Sequence, residues 1–299
     1  MDSSFAEQLK HIAEDNWLTS IKTYVPSAWI GHAPFLRYLI RDLQPKIFVE
    51  LGTHNGFSYF VGCQTIQELN LPAKAYAVDH WQGDQHAGHF DESVYESVVE
   101  LNAQYQNFSN LLKMSFLEAR SLVSEPIDLL HIDGLHTYEA VKEDFETWLP
   151  KMSKNGVIIL HDIHVRHADF GVYKLWEEIK SQYSTLEFTG SYGLGVVFIN
   201  GEAHSLSKLR QISDAGLLMQ IQGVFGGLSD GVIQHFRLIE ANRFAQEIAN
   251  ERITCDETNS RLSLERDTLR RELDTLINSK SWRVTKPMRK IFSWSHRIG

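Results

Sequence analysis

The chain has 299 residues, 43% of them hydrophobic, enough for one large domain and an extension. A net charge of −9 speaks against a protein that coats nucleic acid, so no nucleic-acid partner is expected, and no apolar run is long enough to predict a transmembrane helix. Two distant cysteines, Cys63 and Cys255, form neither a disulfide framework nor a zinc pattern. They fit a reducing cytoplasm, and the polar, mixed-charge residues 1–10 do not read as a signal peptide.

Residues 1–46 read as helices. Phe35, Leu36, Leu39, Ile40 and Leu43 share one helical face, and Pro45 ends that helix. Residues 47–51 read as a short buried strand carrying Glu50 at its end. Gly52 and Gly56 follow, then Ser58 and an apolar stretch, 59–66, that opens a helix. A strand that ends in a Gly-rich turn and feeds a helix is a ligand cradle. Glycine lets the backbone approach closely, and the helix start offers unpaired N–H groups. The dinucleotide fingerprint and the phosphate-loop signature are both absent. Further strands are predicted at 75–78 before Asp79, at 111–114, at 127–132 before Asp133, and at 157–160 before His161 and Asp162. Helical patterns at 92–104, 138–149 and 171–182 lie between them. This alternation predicts an α/β fold, a parallel sheet with helices on both faces. Residues 185–189 and 194–199, joined through 190–193, read as a terminal hairpin.

Glu50, Asp79, Ser115, Asp133 and Asp162 each fall at or just past a strand's C-terminal end. Ligands of open α/β sheets bind there. Any one of these residues is equally explained as a cap, but five in succession predict a shared site. Asp79 can accept both hydroxyls of a ribose. Trp81 packs either against an adenosyl group or in the core. Ser115, before Phe116, either touches the adenine edge or caps a helix. Asp133 and Asp162 end adjacent strands, and with His161 they make a mixed oxygen/nitrogen donor set suited to Mg²⁺ or Mn²⁺. His131, inside a strand, reads as a core histidine. His136, three residues after Asp133, is suited to general-base work or else caps the following helix.

The pattern Glu50-x-Gly52-x-x-x-Gly56 resembles the first motif of the class I S-adenosylmethionine-dependent methyltransferases, with His54 where many members carry a further glycine. Residues 78–84 with 86–88 look like one further signature, and 132–141, 144–150 and 156–162 like another. Over roughly residues 30–200 the chain is similar to the group that includes macrocin-type sugar O-methyltransferases and bacterial glycan-biosynthesis methyltransferases. The resemblance implies a Rossmann-like, seven-stranded, mostly parallel sheet closed by an antiparallel hairpin. It implies S-adenosylmethionine held by Glu50, Gly52, Thr53, Asn55, Gly56, Ser58, Asp79, His80, Trp81, Ser115, Phe116 and Asp133. It also implies a sugar or glycan acceptor, with Asp133 and Asp162 as metal ligands and His136 as base; His161 stands where an acid is usual. The rival reading is a catalytically idle methyltransferase-fold scaffold that docks a glycan-assembly complex. Cephalosporin hydroxylase resembles the same group, so an oxidation at a metal is a third.

The expected division is a methyltransferase domain over 1–200, a helical extension over 201–277 and a basic aromatic tail over 278–299. Residues 206–236 read as mixed helix interrupted at 225–227. Leu262, Leu269, Leu273 and Leu276 fit a heptad seam that Arg266 and Asn259 interrupt, so the helix either joins copies of the chain as a short coiled coil or packs back on the domain. The tail carries Lys280, Arg283, Lys286, Arg289, Lys290 and Arg297 with no acid, which leaves −15 on the rest. Interleaved with Trp282, Met288, Ile291, Phe292 and Trp294, these predict a peripheral contact with an anionic membrane at its cytoplasmic face, or a disordered tail. Residues 279–289 resemble a tail found after coiled coils in bacterial polysaccharide glycosyltransferases.

Overall fold

A computed structural model describes residues 3–86, 88–200 and 215–285. Ala87, residues 201–214 and the tail from Lys286 onward, including the basic and aromatic residues expected there, lie outside the described residues. The chain divides into two compact units, Met1–Phe236 and Arg237–Gly299.

The first unit is built on a seven-stranded sheet. In chain order the elements are α1 (Ser3–Ala13), α2 (Asn16–Thr19), α3 (Ala33–Leu43), β1 (Ile47–Leu51), α4 (Phe57–Glu68), β2 (Lys74–Asp79), β3 (Gly83–Asp84), β4 (Gly88–His89), α5 (Glu92–Asn102), β5 (Ser109–Lys113), α6 (Phe116–Ala119), β6 (Ile127–Ile132), α7 (Tyr138–Trp148), β7 (Met152–His161), α8 (Val172–Lys180), β8 (Ser184–Phe188) and β9 (Leu194–Phe198). The sheet order is β5-β2-β1-β6-β7-β9-β8. The first five strands are parallel, and β9 runs antiparallel to both β7 and β8. The predicted sheet and its closing hairpin are both present. The small β3–β4 hairpin was not foreseen, because two-residue strands have no periodicity to read.

The central strands are buried on both faces, which is why they read as continuous apolar runs. On β1, Phe48 joins one core with α3 and α4, while Val49 and Leu51 join the other with α7 and α8. The order reverses between β1 and β6. That switch point opens a crevice beyond their C-terminal ends.

The long helix α9 (Ala215–Asn278) corrects the expected break at 225–227. Two glycines cost a helix about 2 kcal/mol, but packing wins. Phe225 is buried against Phe35, Tyr38 and Phe188, and Ser229 bonds to the Gly31 carbonyl. Up to Phe236 this helix therefore belongs with the sheet unit. The second unit holds the rest of α9 and α10 (Lys280–Val284), capped by Ser279. No helix among the described residues is long and apolar enough to cross a membrane.

Candidate active site

The β1–α4 turn is shaped by its backbone. Gly52 and Gly56 have φ of 86° and 81°, and His54 between them has φ of 49°. A left-handed φ is strained for histidine, and this is why glycine suits that position. Gly52 also lies against the chain after β6: a Cβ there would sit 2.1 Å from the Asp133 carbonyl. Gly56 precedes α4 without a side-chain cap, so the first N–H groups of this helix have no side-chain partner there. Asp79 ties two loops together. One carboxylate oxygen accepts from the His54 N–H at 2.9 Å, the other from the Trp81 N–H at 2.7 Å.

Over these turns opens a cavity of about 700 Å³, within the range of small-ligand sites. Of the residues expected to hold a cofactor, Gly52, Thr53, Asn55, Gly56, Ser58, Asp79, His80, Ser115, Phe116 and Asp133 line it. Ser115 is at the same time an N-cap, in a reciprocal capping box with Glu118.

Two expected residues stand elsewhere. Trp81 is 2% exposed. Its ring lies 4.8 Å from Tyr95 and its indole N–H donates to the His54 carbonyl, so it supports the loop from within the core. Glu50 lies beneath the cavity floor, because its side chain points to the face of β1 that it shares with His131 on β6. Nδ1 of His131 meets Glu50 Oε2 at 2.8 Å. Burial raises the Glu50 pKa against the pull of that histidine. His131 is the core histidine expected, wholly buried beside Trp29.

At one end of the cavity Asp133, His136, His161 and Asp162 come together. His136 Nε2 lies 2.9 Å from Asp162 Oδ2 and 3.4 Å from Asp133 Oδ1. His161 Nδ1 lies 3.2 Å from Asp133 Oδ1 and 3.5 Å from Asp162 Oδ1. The His161 Nε2–H donates to the Ser191 carbonyl at 2.9 Å, which aims Nδ1 at the carboxylates. Asp162 has φ of 59°, a strained turn directly after β7. Burial depresses the His136 pKa, but the two carboxylates outweigh it and raise it to about 10. His161 is shifted upward by the same contest, and Asp133 is held well below its ordinary value by His161 and His136 despite burial. The two carboxylates thus favour the protonated form of His136.

The donor set suits a divalent cation. Ligand atoms of Asp133, His136 and Asp162 all lie within 4.8 Å of one another. Two carboxylates and an imidazole match Mn²⁺ or Mg²⁺ chemistry. Sequence reasoning put His161 in that set and kept His136 apart as base; in space His136 stands between both carboxylates. A histidine whose second nitrogen donates to a backbone carbonyl, as His161 does, has the usual outer-shell arrangement of a ligand.

Several wall residues escaped sequence reasoning. Trp29 lines the cavity from the segment before α3, where no motif marks it. The His54 ring stacks on Phe90 at 4.3 Å and 2° between planes. Asp144, on α7, faces the cavity. Burial, helped by Glu143, raises its pKa to about 7. Three buried atoms on the lining residues, Trp29 Nε1, Thr53 Oγ1 and His136 Nδ1, find no hydrogen-bond partner among the described residues. Such groups are costly unless something else satisfies them.

Residues 49–163 match the family described as "Methyltransferase domain". That stretch runs from β1 past β7, and the strand order is that of the class I methyltransferase fold. An uncharacterized protein of Sinorhizobium fredii, y4gI, is 44% identical over 191 residues, covering 63% of this chain and 21% of its own. The chain thus spans about a fifth of that relative's length. Among solved structures, the O-methyltransferase TomG from Streptomyces achromogenes, in complex with SAM, is 17% identical with a TM-score of 0.46, over 65% of this chain and 90% of its own. An O-methyltransferase from Bacillus cereus in complex with SAH is 16% identical with a TM-score of 0.44, over 65% and 91%.

Proposed function

We propose that the protein is an S-adenosylmethionine-dependent O-methyltransferase that acts on a hydroxyl of a sugar or glycan, assisted by a divalent metal. Its strongest support is the meeting of Asp133, His136 and Asp162 at one end of a cavity whose other walls fit an adenosyl cofactor. Asp79 presents a carboxylate suited to ribose hydroxyls. Phe116 and the stacked His54–Phe90 pair offer flat apolar surfaces for a purine ring. The Thr53 hydroxyl and Trp29 indole N–H, buried on lining residues, have no hydrogen-bond partner among the described residues.

Bound there, the cofactor would supply an electrophilic methyl group, and a cation held by the carboxylates would act as a Lewis acid on the acceptor hydroxyl. The chain's own residues do the rest. Methylation of a hydroxyl requires its proton to leave; with Asp133, Asp162 and His161 holding a cation, His136 Nε2 would stay free of the metal to take that proton. Neutral His136 is the competent form. The carboxylates that hold it protonated are those a cation would occupy, so metal and proton compete for one pocket. The cavity walls fix donor and acceptor in one orientation. The acceptor class comes from the sequence resemblance in the β2 and β6 loops.

Methyl transfer to sugar acceptors by the full chain, assayed with and without a chelator, tests this reading. Activity that Mn²⁺ or Mg²⁺ restores, and that His136→Ala lacks, is expected. Normal activity in the chelated enzyme sinks the metal role. Cofactor binding with no transfer to any sugar favours the scaffold instead.

A further inference from the structure

From residue 240 to 278 every residue of α9 is exposed. A helix with nothing buried has only its internal bonds to hold it, and helices in proteins mostly owe their stability to a packed face. This one carries an apolar face with no partner among the described residues. One row at seven-residue spacing is Ala241, Ile248, Cys255, Leu262, Leu269 and Leu276. A second row, offset by three or four, is Leu238, Ala245, Arg252, Asn259, Arg266 and Leu273. The unbroken helix extends the seam well before Leu262. Leu238, Ile248, Leu262, Leu269, Leu273 and Leu276 are each 49% exposed or more. A strict seven-residue repeat generates a left-handed supercoil.

We infer that residues 238–276 form a parallel, in-register two-stranded coiled coil with a second copy of this chain. The rows are the d and a positions respectively. The polar residues identify the occupant as self. Asn259 at an a position faces its own copy in such a dimer, and a single buried asparagine specifies register and two strands. Arg252 and Arg266 are each preceded by a glutamate at g, Glu251 and Glu265. In a parallel pair each arginine lies beside the partner's glutamate, so both seam charges are answered. Glu265 at g also faces Arg270 at e across the seam, against one like-charged pair, Glu251 with Asp256.

Cys255 reports on the register. It is exposed, whereas Cys63 is buried. At a d position it lies opposite itself, within disulfide reach. Mild oxidation of the full chain is therefore expected to give a cross-linked species of twice 34.3 kDa, absent in Cys255→Ser. Light scattering should show a dimer for the wild type and for Cys255→Ser. Leu262→Glu with Leu269→Glu should give a monomer that loses helical signal in far-UV circular dichroism, since the exposed helix no longer has a packed face, while cofactor binding by the first unit matches the wild type. A monomeric wild type at micromolar concentration overturns the proposal. A dimer that survives the double substitution, or that does not cross-link through Cys255, overturns the parallel register.

Discussion

Two buried polar regions of the first unit differ in one respect. Around Arg37 everything is answered. Its guanidinium is wholly buried and bonds to the Trp17 carbonyl, the Thr65 hydroxyl and Glu68, and it stacks over the Trp17 ring at 3.9 Å. Glu68, bonded in turn by Lys22, Arg37 and Gln64, has its pKa lowered to about 2 against its burial penalty. At the C-terminal edge of the sheet, Thr53, Trp29 and His136 keep buried donors and acceptors unanswered among the described residues. A satisfied buried charge holds elements together. Unsatisfied groups on cavity-lining residues leave that edge less tightly held than the Arg37 network.

Substitutions should separate the two regions. His136→Gln, which keeps an N–H donor between the two carboxylates, should lower the rate of methyl transfer by about 10²–10⁴-fold, the usual worth of a proton-transfer group, with a fall in melting temperature too small to account for the lost rate. Arg37→Ala should do the reverse. Loss of one partner of a buried pair costs roughly 3 kcal/mol, visible in urea unfolding, with cofactor affinity little changed in the surviving folded protein. If Arg37→Ala instead abolished binding without loss of stability, the division drawn here would be wrong. Thr53→Val removes an unpaired hydroxyl at nearly constant shape. It should leave stability in urea unfolding equal or higher.

A further effect, spread over a pH interval, concerns Asp144. Burial raises its folded pKa from 3.8 to about 7, so the folded state keeps a proton that the unfolded chain releases. Stability therefore falls as pH rises through that interval and levels off above it. Asp144→Asn removes this slope, and melting temperatures of the two proteins across the interval should diverge as pH rises. Parallel curves would show that the carboxyl is not confined as described.

Much of the fold was legible because parallel strands buried on both faces are written as apolar runs, each ending in a polar residue. Asp79, Ser115, Asp133 and Asp162 were recognisable as one edge for that reason. Glu50 obeys the same pattern yet misses the cavity, since the alternation of side chains along β1 decides which way a strand-end residue points. Trp81 was equally balanced between two readings, and only packing against Tyr95 decides between them. Trp29 and Phe90 enter the site through tertiary folding of segments with no motif. The helix through Gly226 and Gly227 was illegible for the opposite reason. Local propensity argued for a break that the buried Phe225 overrides.

Calorimetric titration of the full chain with S-adenosylhomocysteine, repeated on Asp79→Ala, bears most directly on the cavity's role. One ligand should bind per chain, and the substitution should weaken it by at least about tenfold, the worth of a charge-assisted hydrogen bond, in a protein still folded by circular dichroism. No binding to the wild type, or equal binding to both, would contradict the assignment of that cavity to an adenosyl cofactor.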